Sequence, residues 1–218
     1  MKAIIYVEGP SDRAALGALL APIVERKLEE GVSIRFVEAP AGDRKTSLLT
    51  RGPVRAADII ANDADAVVAL LPDLYPRNKG FPHETPVEMA AGCMKLFQQA
   101  LEVRGRGGDE RLLQRLRPFC LKYDLEALLL AVPDGLQARL GGKALTRTWT
   151  VRVEDQDHDV PPKRIVEKLF ENCGKRYRDT VDAPMILSGV SYRQLADLCP
   201  QCFAPFADFL ENLPSLDV

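Results

Sequence analysis

At 218 residues, with 46% apolar and 28% charged side chains, the chain has the size and composition of one large globular domain, or one domain with a substantial elaboration, and is not a largely disordered protein. A formal net charge of −2 excludes the global basic excess of a non-specific nucleic-acid coat, so any attraction to phosphate must be local. No apolar run approaches the roughly 20 residues that span a bilayer, and the N-terminus runs straight into a strand without an export signal; a cytoplasmic setting without a membrane is expected.

Ala3 to Val7 is a short apolar run, rich in β-branched and aromatic residues, and reads as a strand buried on both faces. Glu8 and Gly9 follow it. Ser11 is placed to cap a helix, and Asp12 falls in the first turn, where a carboxylate suits the dipole. Leu16, Leu19, Leu20, Ile23 and Val24 then recur at helical spacing. Ser33 to Glu38 alternates as a second strand, and Lys45 to Asn62 reads as helical pieces divided at Gly52-Pro53. Ala66 to Leu71 is a third strand, ending in Pro72-Asp73-Leu74-Tyr75-Pro76. Strand, helix, strand, helix, strand implies a parallel sheet. Asp73 then comes to the same edge as Glu8, the edge at which open α/β sheets bind ligands.

Arg77 to Pro86 is a polar loop in which His83 is expected to meet solvent, and Val87 to Val103 reads as a helix. Arg104, Arg106, Arg111, Arg115 and Arg117 make a basic region that could contact phosphates if it lies beside the acids. The segment from Leu116 begins as a strand, passes through Tyr123-Asp124 and becomes helical over Leu125 to Val132, so Asp124 and Glu126 stand at a third acidic strand end. Turns are expected at Pro133-Asp134-Gly135 and Gly141-Gly142, a strand over Trp149 to Val153, and a solvated acidic loop from Glu154 to Asp159. Lys163 and Arg164 open a helix, where positive charge opposes the dipole; that small local cost points to a function. Met185 to Val190 leads into a helix near Ser191 to Leu198, and a last helix covers Phe203 to Leu213. The five scattered cysteines, Cys199-Pro-Gln-Cys202 among them, read as free thiols rather than a disulfide framework or a zinc site. The expected organisation is an α/β core over 1–132 and a mostly helical elaboration over 133–218, packed on the core.

The strand that ends in Glu8-Gly9, with Ser11-Asp12 behind it, resembles the TOPRIM domain of topoisomerases, primases and OLD-family nucleases, in the Glu-Gly-x-x-Asp form of its nuclease branch. Tyr123-Asp124-Leu125-Glu126-Ala-Leu-Leu129 is similar to the His-Glu-Phe-Glu-Ala-Leu-Leu of an uncharacterised bacterial TOPRIM-like family related to OLD-type nucleases. Asp73-Leu-Tyr75 resembles that family's Asp-Phe-Tyr, Pro161 to Ile165 its Pro-Ser-Lys-Arg-Ile, and the ending from Cys199 to Glu211 its Cys-Pro-His-Phe-Asn-x-Trp ending. Two positions depart: Tyr75 stands where TOPRIM proteins carry a second aspartate, and Tyr123 where the family has histidine.

The resemblance implies a mainly parallel, Rossmann-like sheet flanked by helices, with Mg2+ or Mn2+ held by Glu8, Asp12, Asp73, Asp124 and Glu126. It implies catalytic roles for Glu8, Asp73, Glu126 and Lys163. The candidate phosphate contacts are Arg104, Arg106, Arg111, Arg115 and Arg164. Two functions answer to this pattern. One is a magnesium-dependent nuclease acting on DNA or RNA, working with a partner ATPase in an anti-phage system. The other is a catalytically weak subunit that binds nucleic acid or a partner protein. Either leaves room for a homo-oligomer.

Overall fold

The computed structural model describes residues 1–145, 151–156 and 159–214. Ala3, Ile5 and Val7 are buried on one side of the first strand and Tyr6 on the other, so the sheet is covered on both faces, as its continuous apolar pattern requires. Four strands, β1 (Lys2–Val7), β2 (Ser33–Glu38), β3 (Ala66–Leu71) and β4 (Leu116–Pro118), form one sheet in the order β2-β1-β3-β4, with every pairing parallel. The register aligns Val7 with Glu38 on one side and with Leu71 on the other. β1 and β3 therefore end level with each other in the middle of the sheet.

The first helical stretch is two helices, α1 (Pro10–Leu19) and α2 (Ala21–Glu29). Pro22 has no N–H to continue the ladder, and the chain steps at Leu20. The reverse holds for the next helix. α3 (Arg44–Asn62) runs unbroken through Pro53, against the expected division. Gly52 and Pro53 are both buried, and a Cβ on Gly52 would lie 3.1 Å from the Leu70 side chain; close packing on β3 outweighs the local cost of the proline. α4 (Pro86–Val103) starts with a reciprocal cap: the Glu88 N–H donates to Thr85 Oγ1 at 3.2 Å, and the Thr85 N–H donates to Glu88 Oε2 at 3.3 Å. α5 (Glu110–Leu113) precedes β4, and α6 (Glu126–Leu130) follows it. The turn expected at Pro133 is the first turn of α7 (Pro133–Arg139), where a proline is tolerated. α8 (Pro162–Asn172), α9 (Asp179–Leu187), α10 (Tyr192–Leu198) and α11 (Phe203–Glu211) complete the order. Helix α9 carries an internal Pro184 and has no sequence pattern that announces it.

α3 and α4 cover one face of the sheet, through Leu48, Leu49, Met89 and Phe97. α1 lies on the other face, with α9 packed against it, and α6, α8 and α11 add Leu129, Phe170 and Phe206 to the same core. Three loop expectations are corrected. Trp149 lies outside the described residues, and Val153–Asp155 is a 3-10 turn rather than a strand end. Glu154 is buried, not solvated: its carboxylate accepts the N–H groups of Gln201 at 2.7 Å and Cys202 at 3.1 Å, at the start of α11. His83 is buried as well, with Nδ1 2.8 Å from the Phe81 carbonyl. All five cysteines are free, with Cys120 and Cys202 Sγ atoms 3.6 Å apart. Among the described residues no helix is long and apolar enough to cross a membrane.

Asp182 fastens α9. Its buried carboxylate takes Arg139 Nε at 2.8 Å and the Arg178 N–H at 2.7 Å. Asp182→Ala leaves a guanidinium without its partner beneath α9 and should cost about 3 kcal/mol of stability. Urea unfolding checks this. A loss below about 1 kcal/mol would show that α9 is held mainly by its apolar face.

Candidate functional site

Glu8 is the residue after β1, and Asp73 lies two residues beyond β3. The β3 path continues past its last strand residue. Asp73 bridges to Leu121 in parallel, the Leu121 N–H donates to the Pro72 carbonyl at 2.9 Å, and the Leu74 N–H donates to Leu121 O at 2.7 Å. This extension fixes the Asp73 backbone beside β1, where its N–H donates to Glu8 Oε1 at 2.9 Å. Asp12 occupies the third position of α1, and its Oδ2 accepts the Gly9 N–H at 2.7 Å. The expected cap at Ser11 is thus made by Gly9 and Asp12. A Cβ on Gly9 would fall 2.8 Å from Arg44 Nη1, so the glycine admits the start of α3 to this edge.

The third acidic end is built by α6 and α8. The Lys163 N–H donates to Asp124 Oδ2 at 3.2 Å, while Asp124 Oδ1 is buried with no hydrogen-bond partner. Glu126 is buried at the start of α6, with Lys163 Nζ 3.8 Å from its Oε1. The Tyr177 hydroxyl lies near that carboxyl but makes no hydrogen bond of normal geometry. Lys163 Nζ donates to Asp179 Oδ2 at 2.7 Å. Asp179 and Tyr177 have no motif to mark them in the sequence.

These acids feel one another. Asp73 is closely surrounded by protein yet partly open to solvent; burial first, then the charges of Glu8, Asp12 and Asp124, push its carboxyl well above the usual range. Burial raises Glu8, against the pull of the Asp73 N–H and the Lys45 ammonium. Burial pushes Asp12 up to about 6. Burial and then Glu126 push Asp124 up to about 7. Glu126 is raised by burial, which Lys163 offsets. Glu8, Asp12, Asp73 and Asp124 therefore share one edge, with Glu126 and Lys163 at its flank.

Lys45 was the residue to find. It lies in the first turn of α3, 6% exposed, and donates to the carbonyls of Leu74 at 3.0 Å and Pro76 at 2.6 Å. The signal is the one that marks Lys163, a cation at a helix start. The two departing positions named above pair with each other: the Tyr75 and Tyr123 rings stack at 5.0 Å and 21°, and the Arg77 guanidinium lies 4.5 Å from the Tyr75 centroid. A cavity of about 1050 Å3 bounded by Val132, Arg139, Ile186 and Val190 contains none of the five acids.

The basic region does not reach this edge. Arg115 Nε donates to the carbonyl of Ala66 at 2.8 Å, at the start of β3, and Arg104 Nε to Asp58 Oδ1 at 2.8 Å, near the end of α3. Arg106 pairs with Asp109, and Arg111 lies in α5. Helix α4 runs back along the sheet before β4 begins, which carries these four arginines to the opposite edge from Glu8 and Asp73 and corrects the expectation of a basic patch beside the acids. Arg164, in the first turn of α8, stays on the acid side and pairs with Glu167 at 2.9 Å.

The hard oxygen donors and the unpartnered Asp124 Oδ1 suit a divalent ion. Among the described residues, however, no three His, Cys, Asp or Glu side chains are drawn together as a finished metal cage. Without a metal, the proton is what relieves the crowding. Asp12 and Asp124 bind protons in the folded state up to about 6 and about 7, above their ordinary 3.8, so the folded chain holds more protons than the unfolded one in that window. Stability of the metal-free protein should fall as pH rises from 4 to 8, each acid contributing at most about 1.4 kcal/mol per pH unit. Asp124→Asn should flatten the upper part of this fall in pH-dependent urea unfolding; an unchanged slope between pH 5 and 7 would show that Asp124 is not raised.

Residues 7–211 match the family described as Domain of unknown function (DUF4276). Among solved structures, the fold is similar to the C-terminal region of the Burkholderia pseudomallei OLD protein, at 16% identity and a TM-score of 0.50 over 96% of each chain. The C-terminal region of the Xanthomonas campestris pv. campestris OLD protein is similar at 12% identity and a TM-score of 0.46 over 95% of each chain. A search of curated proteins finds no match. With almost its whole length inside the matched region, the chain belongs to the DUF4276 family.

Proposed function

We propose that the chain is a divalent-metal-dependent nuclease of TOPRIM/OLD type. The observation that carries this reading is the shared acidic edge: burial raises the proton affinity of carboxylates at the ends of β1 and β3 and in the segment after β4, and the charges of Glu8, Asp12 and Asp124 raise Asp73 further. The likeness in fold to an OLD C-terminal region supports it. Glu8, Asp73 and Asp124 would hold Mg2+ or Mn2+, with Asp12 and Glu126 behind them. When bound, such an ion neutralises the acids and lowers the pKa of a water for in-line attack on a phosphodiester. Glu8, oriented by the Asp73 N–H, takes the proton of the attacking water. Lys163, steadied by Asp179 and flanked by Glu126, presents its ammonium to charge developing on the phosphoryl oxygens. Arg164 on the same helix turn, 73% exposed, supplies a phosphate contact. Work alongside an ATPase in phage defence is part of the proposal by analogy with the family resemblance alone.

A second reading, a binding subunit without turnover, is favoured by one observation: Tyr75 and Tyr123 fill the positions of a metal-ligating aspartate and a histidine and stack on each other. Cleavage separates the two readings. On single- and double-stranded DNA and RNA with Mn2+ or Mg2+, the pure protein should cut at least one substrate. Glu8→Gln and Asp73→Asn should each slow cutting by about 100-fold or more. Lys163→Ala should slow it by about 100-fold while weakening nucleic-acid binding far less. Binding that persists with no cutting by any variant would establish the second reading, and cutting that survives Glu8→Gln would remove the acidic edge from the chemistry.

A further inference from the structure

Beside the acids, the same edge carries a stack of flat groups. Tyr75 lies two residues beyond Asp73, and Tyr123 immediately precedes Asp124. Their rings stack at 5.0 Å and 21°, and the Arg77 guanidinium lies over Tyr75 at 4.5 Å. The tyrosine pair is held from both sides. Lys45 Nζ donates to the carbonyls of Leu74 and Pro76, the neighbours of Tyr75, at 3.0 Å and 2.6 Å. The Tyr123 hydroxyl donates to the Gln156 carbonyl at 2.6 Å. Tyr123 is buried and Tyr75 half-buried. The guanidinium is the loosely held member: Arg77 is exposed, and its ion pair, at 2.6 Å, is with the equally exposed Glu84. A surface ion pair contributes less than a nucleobase stacked on an aromatic ring.

The second feature is a cation suited to phosphate. Arg44, in the first turn of α3, lays its Nη1 against Gly9, 2.8 Å from where a Cβ would stand. It is half-buried, and among the described residues it has no hydrogen-bond or ion-pair partner. Other cations of this edge are spent: Arg13 on Glu38, Lys79 on Asp43, Lys163 on Asp179. The residue after Arg44 is the lysine that holds the Tyr75 turn, so the guanidinium and the ring belong to one rim of the edge.

We infer that this rim binds single-stranded nucleic acid, with one unpaired base stacked on Tyr75 in place of the Arg77 guanidinium and Arg44 on a backbone phosphate. Within a duplex both faces of a base are covered by its neighbours, so the ring can take only a base that has left the stack. The inference rests on nucleic acid being the ligand of the acidic edge, as proposed above, and names the form of it that the site accepts.

The test is fluorescence anisotropy of a labelled single strand of about 12 nucleotides, oligo-dT and oligo-U in parallel, against a duplex of the same length. EDTA is present throughout, so that binding is read without cutting. The single strand should bind about 10-fold tighter than the duplex or better. Tyr75→Ala should weaken single-strand binding by about 10-fold and leave duplex binding unchanged, while Tyr75→Phe and Tyr75→Trp keep it. Should the alanine variant fail to fold by circular dichroism, Tyr75→Leu takes its place. Arg44→Ala should weaken binding and lower its salt dependence by about one phosphate contact. No binding, equal affinity for the duplex, or full single-strand affinity in a folded Tyr75→Ala would each overturn the inference. Cutting is read separately with Mn2+: Tyr75-dependent binding without cutting would remove the nuclease reading and leave this inference, and cutting of a duplex that is indifferent to Tyr75 would do the reverse.

Discussion

Carboxylates that are crowded together and withdrawn from water must be neutralised, and the acidic edge of this fold is organised by that requirement. Parallel strands that end level place Glu8 next to Asp73, and the Leu121 bridge extends the row toward Asp124. Burial raises the proton affinity of Asp73 most, and the charges of Glu8, Asp12 and Asp124 add to it. A proton, a lysine or a divalent cation can each meet the need. The fold supplies two lysines, one at each flank, and leaves the buried Asp124 Oδ1 without a partner.

Other buried acids in the same chain show what a purely structural carboxylate looks like. Asp182 has a guanidinium and a backbone N–H directed at it. Glu154 takes two backbone N–H groups at the start of α11. Both are anchored between elements by several donors. Glu8 receives one backbone N–H, Asp12 receives one from Gly9, and Asp124 receives one on a single oxygen. Buried acids short of donors are costly unless something else visits them. This difference in partner supply distinguishes the edge from the rest of the acidic side chains.

Much of this architecture can be read from the sequence, because it rests on local signals. The apolar runs at Ala3 to Val7 and Ala66 to Leu71, each followed by an acid, place Glu8 and Asp73 on one edge once the sheet is parallel. What stays hidden is tertiary. Pro53 reads as a break, yet packing on Leu70 holds α3 together. Glu154 reads as solvated because its donors, at Gln201 and Cys202, are distant in sequence. The arginines after Val103 read as neighbours of the acids because sequence proximity says nothing about which edge a returning helix reaches. Lys45 could be found by the argument that finds Lys163, since both place a cation against a helix dipole.

The proposed function requires that a cation replace protons at this edge. Proton release on metal binding tests it most directly. Calorimetric titration of Mn2+ into the protein, repeated in buffers of different ionisation enthalpy, counts the protons exchanged. With Asp12 up to about 6 and Asp124 up to about 7, binding at pH 6 should release protons into the buffer, and the release should fade by pH 8.5. Metal binding with no proton exchange at pH 6 would contradict the account, since the ion would then sit away from the crowded acids.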